Sequence, residues 1–297
     1  MKKKLLAIVI GAAAAMPVAA MADVTVYGRA HVSIDHLDDG ADYSEVNLSS
    51  NSSRLGFKGN HDVSPNLNAF FQIEQQIDFG TDNGETLATR DTFVGLGGNF
   101  GAVRAGRFDS PFKAARGPAN LFGDQVGDMR NLTRVGNARF DERYDNTIEY
   151  TTPNMSGFFA KLGYSLHETT VAGDDVDTNT TSMSLNYEGD VVEAALAYET
   201  ADEDTGRGER NGVRFAGAYK ITDSLKGVAF YQTVDYENDA VTQAVRDQLT
   251  ADTFGLGAEF KDSNAALTPW RQARTADPAG AAGEDATGLS VGLRYDF

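Results

Sequence analysis

The sequence contains no cysteine among its 297 residues. Because a disulfide framework, an iron–sulfur cluster and a thiol nucleophile all need cysteine, the three are excluded together. Histidine is almost as scarce. The four histidines, which show no metal-ligand spacing, are His31, His36, His61 and His167. The G-x-S-x-G and H-E-x-x-H motifs are absent, and the glycine run 95–101 misses the G-x-G-x-x-G register. We therefore expect no metal, no cofactor and no enzyme activity.

Basic residues are also few, with 26 Lys and Arg against 43 Asp and Glu and a formal net charge of −17. Polyanion binding needs clustered basic charge, and the sequence has no basic stretch with interleaved aromatics. A general nucleic-acid binder is therefore excluded. Acidic pairs such as 38–39 and 174–175 do not match an EF-hand, so solvation explains them better than Ca²⁺ or Mg²⁺ binding.

Long hydrophobic runs are absent beyond the first residues. Three lysines at 2–4 precede an apolar run at 5–15, and small residues in an A-x-A pattern follow at 20–22. This order predicts an export signal peptide over 1–22, cleaved after Ala22. A retained membrane anchor is the alternative, since 5–22 is long enough to span a bilayer. No Pro/Ser-rich linker divides 23–297, which favours a single exported domain.

Strict alternation of apolar and polar residues is what the sequence has instead. From 289 to 297 the odd positions are apolar or aromatic and the even ones are small or polar, and 24–35 alternates in the same way. Side chains of a strand project to opposite faces with period two, so each strand has one apolar and one polar face. That pattern fits a soluble sandwich or a membrane barrel with lipid outside and water inside. Similar terminal strands favour a closed barrel.

The pattern predicts an all-β fold with fourteen antiparallel strands. The candidates are 24–35, 45–59, 66–79, 88–98, 101–108, 145–152, 157–168, 180–188, 190–200, 210–221, 224–236, 249–261, 265–275 and 286–297. Ten residues at a tilt of ~40° cover about 25 Å, the height of the apolar band of an outer-membrane barrel. Short turns alternate with longer acidic connections, which is the layout of such barrels.

Six fragments in order resemble the general diffusion porins of Gram-negative bacteria. They are 26–29 (VYGR), 53–59 (SRLGFKG), 93–96 (FVGL), 103–107 (VRAGR), 150–158 (YTTPNMSGF) and 291–297 (VGLRYDF). The resemblance implies a homotrimeric barrel in the outer membrane, in contact with its lipid and lipopolysaccharide. It also implies that Phe297 is read by the barrel-assembly machinery. Porins of this type usually have sixteen strands, so the count of fourteen departs from the family and predicts a narrower barrel.

The resemblance further implies that the third loop folds into the lumen, with its acidic residues opposite arginines on the wall. The longest connection, 109–144, follows the fifth strand and is too apolar for a solvated loop, so we expect it inside the barrel. Its candidate acidic residues are Asp124 and Asp128. The candidate wall arginines, from motif and strand parity, are Arg29, Arg54, Arg90, Arg104, Arg107, Arg139 and Arg143.

These residues predict a water-filled channel for passive diffusion of ions and small hydrophilic solutes. Opposed charges across the constriction sort ions without trapping them. The arginines favour anions and the net charge favours cations, so the preference stays open. Two other functions also stay open: a structural or adhesive barrel with a plugged lumen, and a hydrolase at the membrane edge.

Exchange of both Asp124 and Asp128 for Asn is expected to shift the reversal potential of the channel toward anions, because two negative charges leave the constriction. The measurement is the zero-current voltage of a planar bilayer in a salt gradient. An unchanged reversal potential would place the constriction elsewhere.

Overall fold

The computed structural model describes residues 23–38, 44–78, 89–121, 123–124, 128–133, 140–166, 168–171, 174–177, 179–202, 209–237, 251–262, 265–267, 270–274 and 287–297. The predicted signal segment 1–22 lies outside these residues.

Strands dominate the described chain, and the only helices are short ones between the sixth and seventh strands. The strands are β1 (Asp23–Asp38), β2 (Ser44–Ser50), β3 (Arg54–Ser64), β4 (Leu67–Gln76), β5 (Thr92–Gly98), β6 (Gly101–Asp109), β7 (Arg143–Thr151), β8 (Phe158–Ser165), β9 (Glu168–Val171), β10 (Asp174–Asp177), β11 (Thr180–Glu188), β12 (Val192–Ala201), β13 (Glu209–Lys220), β14 (Leu225–Glu237), β15 (Ala251–Asp262), β16 (Ala265–Leu267), β17 (Trp270–Arg274) and β18 (Thr287–Asp296). The helices are α1 (Pro111–Ala114), a 3₁₀ turn (Gly117–Ala119) and α2 (Arg130–Thr133). None of the helices in the described ranges is long and apolar enough to cross a membrane.

One antiparallel sheet contains all strands except the small β9–β10 hairpin. Consecutive strands pair with each other, and β1 also pairs with β18, so the first and last strands of the sheet are neighbours. Two wall positions are occupied by two segments each, because β2 and β3 both pair with β1 and β16 and β17 both pair with β15. The described wall therefore has fourteen strand positions, as predicted.

The connections differ in length at the two rims. Short turns join β3 to β4, β5 to β6, β11 to β12 and β13 to β14, while the long connections lie at the opposite rim. The start of β1 and the end of β18 lie at the short-turn rim. In one of these turns Gly101 has φ +99°, and a Cβ there would lie 2.1 Å from the Thr151 carbonyl oxygen, so the turn requires glycine.

The faces of the wall are inverted relative to a soluble protein. Large apolar side chains are exposed on the outer face, including Leu196 at 51% and Leu256 at 66%. On the inner face Glu149 is 2% exposed, and Arg214 and Gln232 are fully buried. Since a contiguous exposed apolar surface in water favours aggregation, this arrangement requires lipid outside. The predicted sidedness of the strands is confirmed.

A break between β2 and β3 was not predicted, since 45–59 reads as one continuous strand. Ser52 has φ +53°. The side chains on either side of Ser52 form hydrogen bonds to β1. Asn51 Nδ2 donates to Ser33 Oγ over 2.8 Å, and Ser53 Oγ donates to the His31 carbonyl over 3.0 Å. Short polar side chains that bond to neighbouring strands compete with regular pairing, which interrupts the strand.

Replacing outward Leu196 by Lys is expected to reduce the free energy of unfolding by about 2–4 kcal/mol, because the ammonium then faces the lipid near the middle of the membrane. The measurement is denaturant unfolding in lipid vesicles. Asn186→Lys, on the inner face of β11, is the matched control and should cost much less. Equal losses would contradict the assigned sidedness.

Candidate functional site

A buried ion pair fixes the segment between β6 and β7 to the inner wall. Arg214 of β13 and Asp141 are both fully buried and form a bidentate pair, with Arg214 Nη2 and Asp141 Oδ2 2.9 Å apart. Thr133 Oγ1 donates to Asp141 Oδ2 over 2.9 Å, and Gln232 Nε2 donates to the Thr133 carbonyl over 3.1 Å. Arg214 also donates to the Phe112 carbonyl over 2.9 Å and stacks over the Phe112 ring at 4.2 Å. Each charge is thus compensated by protein groups.

Apolar packing holds the same segment against β12, β13 and β14. One buried cluster joins Phe112, Ala115 and Phe140 of the segment to Ala195, Ala197 and Val234 of the wall. A second joins Ala119 and Met129 to Ala216, Ala218, Val228 and Phe230. Apolar residues on the inner side of these three strands therefore face the loop rather than water. The described part of the loop therefore lies inside the barrel, as predicted.

The middle of the loop reaches the opposite wall. Arg130 Nη2 donates to Asp124 Oδ1 over 2.5 Å and to Asp128 Oδ2 over 2.6 Å, which makes a compact cluster with one surplus negative charge. Asp124 also bonds to the side chain of Ser52, beside β3. Burial raises the pKa of Asp124, but Arg130 and the bond to Ser52 outweigh it, so the pKa lies below its usual value. Asp124 therefore stays ionised and faces the β1–β4 side.

A cavity of about 390 Å³ lies on that side of the wall, lined by residues of β1, β3, β4 and β18 and by the two ends of the loop. Its charged lining residues are Arg29, Arg54, Lys58, Glu74, Arg90, Asp91, Asp109, Arg143 and Asp296. Four of the seven predicted wall arginines are thus brought together around one water-accessible space. Strand pairing explains the approach of Arg29 and Arg54, because β1 and β3 are neighbours, whereas Arg90 precedes β5 and Arg143 begins β7.

The cations around this cavity are paired unequally. Glu74 binds two of them, with Oε1 2.5 Å from Arg90 Nε and 3.6 Å from Arg54 Nη1. Lys58 lies 5.2 Å from the Tyr27 ring, without a carboxylate partner among the described residues.

The remaining two arginines of the cavity each have an acidic partner. Arg143 binds Asp91 and lies 2.7 Å from Asp109, and Arg29 lies 2.6 Å from Asp296. The lining therefore carries five cations and four carboxylates.

The other predicted arginines lie elsewhere. Arg104 is inward but makes a bidentate bond to Glu149 at 3.0 and 3.1 Å and stacks between two phenylalanine rings. Arg107 pairs with exposed Asp145 at 2.6 Å and does not line the cavity.

Arg139 lies outside the described residues. Phe297 exchanges backbone hydrogen bonds with Gly28 at 2.8 and 3.1 Å, and its role in assembly stays a prediction.

Sequence reasoning missed several residues that build the site. Arg214 and Asp141 form the anchor, and Glu74 and Lys58 set the balance of charge in the cavity. The alternation of β4 and β3 places Glu74 and Lys58 on the inner face, so the sequence could have identified them. Nothing in the sequence pairs Arg214 with Asp141, which lie 73 positions apart. Within the described residues, no cluster of three or more acidic or histidine side chains is arranged to hold a metal ion.

Comparisons with known proteins agree with this architecture. The family model of Gram-negative porins matches residues 7–297. The major outer membrane protein P.IB of Neisseria sicca is 35% identical over 202 residues, which cover 63% of this chain and 55% of that protein. The chain spans about half the length of the curated relatives it matches.

Solved structures show the fold. The anion-selective porin from Comamonas acidovorans has a TM-score of 0.58 at 22% identity, covering 93% of this chain and 100% of that one. The trimer form of the outer membrane protein OmpT of Vibrio cholerae has a TM-score of 0.55 at 18% identity, covering 92% and 99%. The predicted antiparallel β-barrel is confirmed.

Asp141→Asn is expected to reduce the free energy of unfolding by about 3–5 kcal/mol, because it leaves the Arg214 guanidinium buried without an anion. The measurement is denaturant unfolding in detergent micelles. Asp145→Asn is the matched control: it breaks the exposed pair with Arg107 and should cost under about 1 kcal/mol. Similar losses in the two variants would show that the buried pair does not anchor the loop.

Proposed function

The chain belongs to the Gram-negative porin family, and from this premise we propose that it forms a water-filled channel in the outer membrane for passive diffusion of ions and small hydrophilic solutes. The protein is an outer-membrane protein, and members of this family are channels rather than enzymes. In this proposal the size and the charge of the lumen determine which solutes pass.

The observation that carries this proposal is the charged cavity on the β1, β3 and β4 side of the wall. In a barrel with a plugged lumen, the inward charges would be dry and fully paired. Here Arg29, Arg54 and Arg90 keep 11–19% of their side-chain surface exposed. Solvent-accessible charges along an enclosed path are what a hydrophilic pore requires.

Selectivity, in this proposal, comes from a transverse field between the two sides of the constriction. The wall lining has one surplus positive charge, and the Asp124–Asp128–Arg130 cluster has one surplus negative charge. Asp124 interacts electrostatically with Arg54 across the gap. In water a unit pair at ~4 Å is worth about 1 kcal/mol, which orients a passing solute without trapping it.

We further propose that three such barrels assemble as a homotrimer, surrounded by outer-membrane lipid and lipopolysaccharide, after cleavage of segment 1–22 and insertion by the barrel-assembly machinery. The trimer form of the Vibrio cholerae protein supports the trimer. The exposed apolar outer wall supports embedding in lipid. Size measurement in detergent before and after heating tests the assembly.

Single-channel recording in planar bilayers tests the channel itself. Stable ohmic conductance steps from the purified, heat-modifiable protein support the proposal. Silence from correctly folded protein would instead favour a structural or adhesive barrel. Histidine substitutions that leave solute flux unchanged would leave the hydrolase alternative without support.

Glu74→Gln is expected to raise the anion-to-cation permeability ratio, because Arg54 and Arg90 lose the carboxylate that both of them contact. The loss of one charge at ~4 Å corresponds to about 1 kcal/mol, or roughly fivefold, before screening by salt reduces it. The measurement is the reversal potential in a KCl gradient. Asp145→Asn removes the same charge from the exposed pair with Arg107 and should leave the ratio unchanged. If both variants behave alike, the cavity does not set selectivity.

A further inference from the structure

Three phenylalanine rings form an aromatic row on the inner face of β4, β5 and β6. Phe70 and Phe93 meet edge to face with their ring centroids 6.2 Å apart, and Phe93 and Phe108 meet in the same way at 5.8 Å. Phe93 and Phe108 both contact the Arg104 guanidinium. Arg104 binds Glu149 of the inner face, so the rings share that face. In a hydrated barrel this face is normally polar, which makes the row an exception.

The aromatic row is buried at one end and accessible at the other. Phe108 is 0% exposed, whereas Phe70 and Phe93 are half-buried. On the neighbouring strand β3, Asn60 lies opposite Phe70 in the ladder and is exposed. Residues that lie opposite each other in a ladder share one face of the sheet. The inner wall is therefore open to the lumen beside Phe70.

The accessible end of the row adjoins the charged cavity. Gln72 lies opposite Phe93 in the ladder, and Lys58 lies opposite Gln72. Gln72 and Lys58 both line the cavity. Lys58 is exposed and has no carboxylate partner among the described residues. A solute in the cavity thus finds an ammonium group and two phenyl rings on one stretch of the wall.

A glycine lets the accessible ring lie along the wall. Phe70 is paired with Gly95 of β5, and its ring occupies the space that a side chain at position 95 would fill. The ring therefore covers the wall and does not extend across the lumen. The outer face has the same arrangement, because the Phe71 ring covers Gly59.

We propose that the aromatic row is a binding subsite for solutes that carry an aromatic ring and a carboxylate. The solute ring contacts Phe70 and Phe93, and its carboxylate contacts Lys58. Aromatic rings prefer edge-to-face or offset-stacked neighbours, so the row recognises the ring of the solute as well as its charge. The inference rests on the proposed channel function, because solutes reach the row through the lumen.

The test compares benzoate with cyclohexanecarboxylate, which has the same charge and a similar size but no aromatic ring. Affinities are measured by saturation-transfer NMR titration of the purified protein in detergent, which does not require conduction. Inhibition of the KCl current in planar bilayers is measured in parallel. We expect benzoate to bind about fivefold more tightly, the equivalent of about 1 kcal/mol, as an aromatic pair provides.

Variants separate the ring contact from the charge contact. Phe70→Leu should remove most of the preference for benzoate, because the side chain stays apolar but loses its ring. Phe71→Leu is the matched control on the outer face and should keep the preference. Lys58→Gln should weaken both solutes by the same factor, because both lose only the partner of their carboxylate.

Equal affinity for the two solutes in the unmodified, folded protein would overturn the subsite, and this comparison needs no variant to fold. An unchanged preference in folded Phe70→Leu, or an equal loss in Phe71→Leu, would also overturn it. A protein that conducts without distinguishing the two solutes removes this inference alone. A folded protein that prefers benzoate but does not conduct removes the proposed function alone.

Discussion

The buried contact between Arg214 and Asp141 determines where the inserted loop lies, and the rest of the site depends on that position. The pair ties the end of the loop to β13, while Phe112 and Phe140 pack against the same part of the wall. The charged cavity is found away from this packed part of the wall, on the side of β1, β3 and β4. A burial of two full charges is tolerated because each is held by several hydrogen bonds.

Pairing, rather than the number of arginines, governs the electrostatics of the lumen. A count of inward arginines suggests a strongly positive pore, and the formal charge of −17 suggests the opposite. Carboxylates on neighbouring strands cancel most of the wall charge, as Glu149 does for Arg104. A small net charge remains on each side of the constriction, positive on the wall and negative on the loop. The gain or loss of a single charge therefore changes this net charge by a large fraction.

The wall was predictable from the sequence because its period of two is imposed by lipid on one side and water on the other. β13 shows this, with Val213 and Phe215 outward and Arg214 inward as its alternation predicts. The break at Ser52 and the β9–β10 hairpin were not predicted, since both depend on side-chain bonds or local pairing that override the strand pattern. The pairing of Asp141 with Arg214 depends on how the loop folds, and the loop sequence has no periodic pattern from which its fold could be predicted.

The contact between Asp124 and Ser52 has a consequence for the motion of the loop. A loop joined to the wall only at its two ends can move at its middle, whereas a loop that also contacts the wall at its middle has little freedom left. With Arg214 and Asp141 fixing the loop near its end and Ser52 meeting Asp124 in its middle, the free space beside the loop keeps a nearly constant width. We therefore expect the open channel to carry a quiet current, with little excess noise from fluctuations of its cross-section.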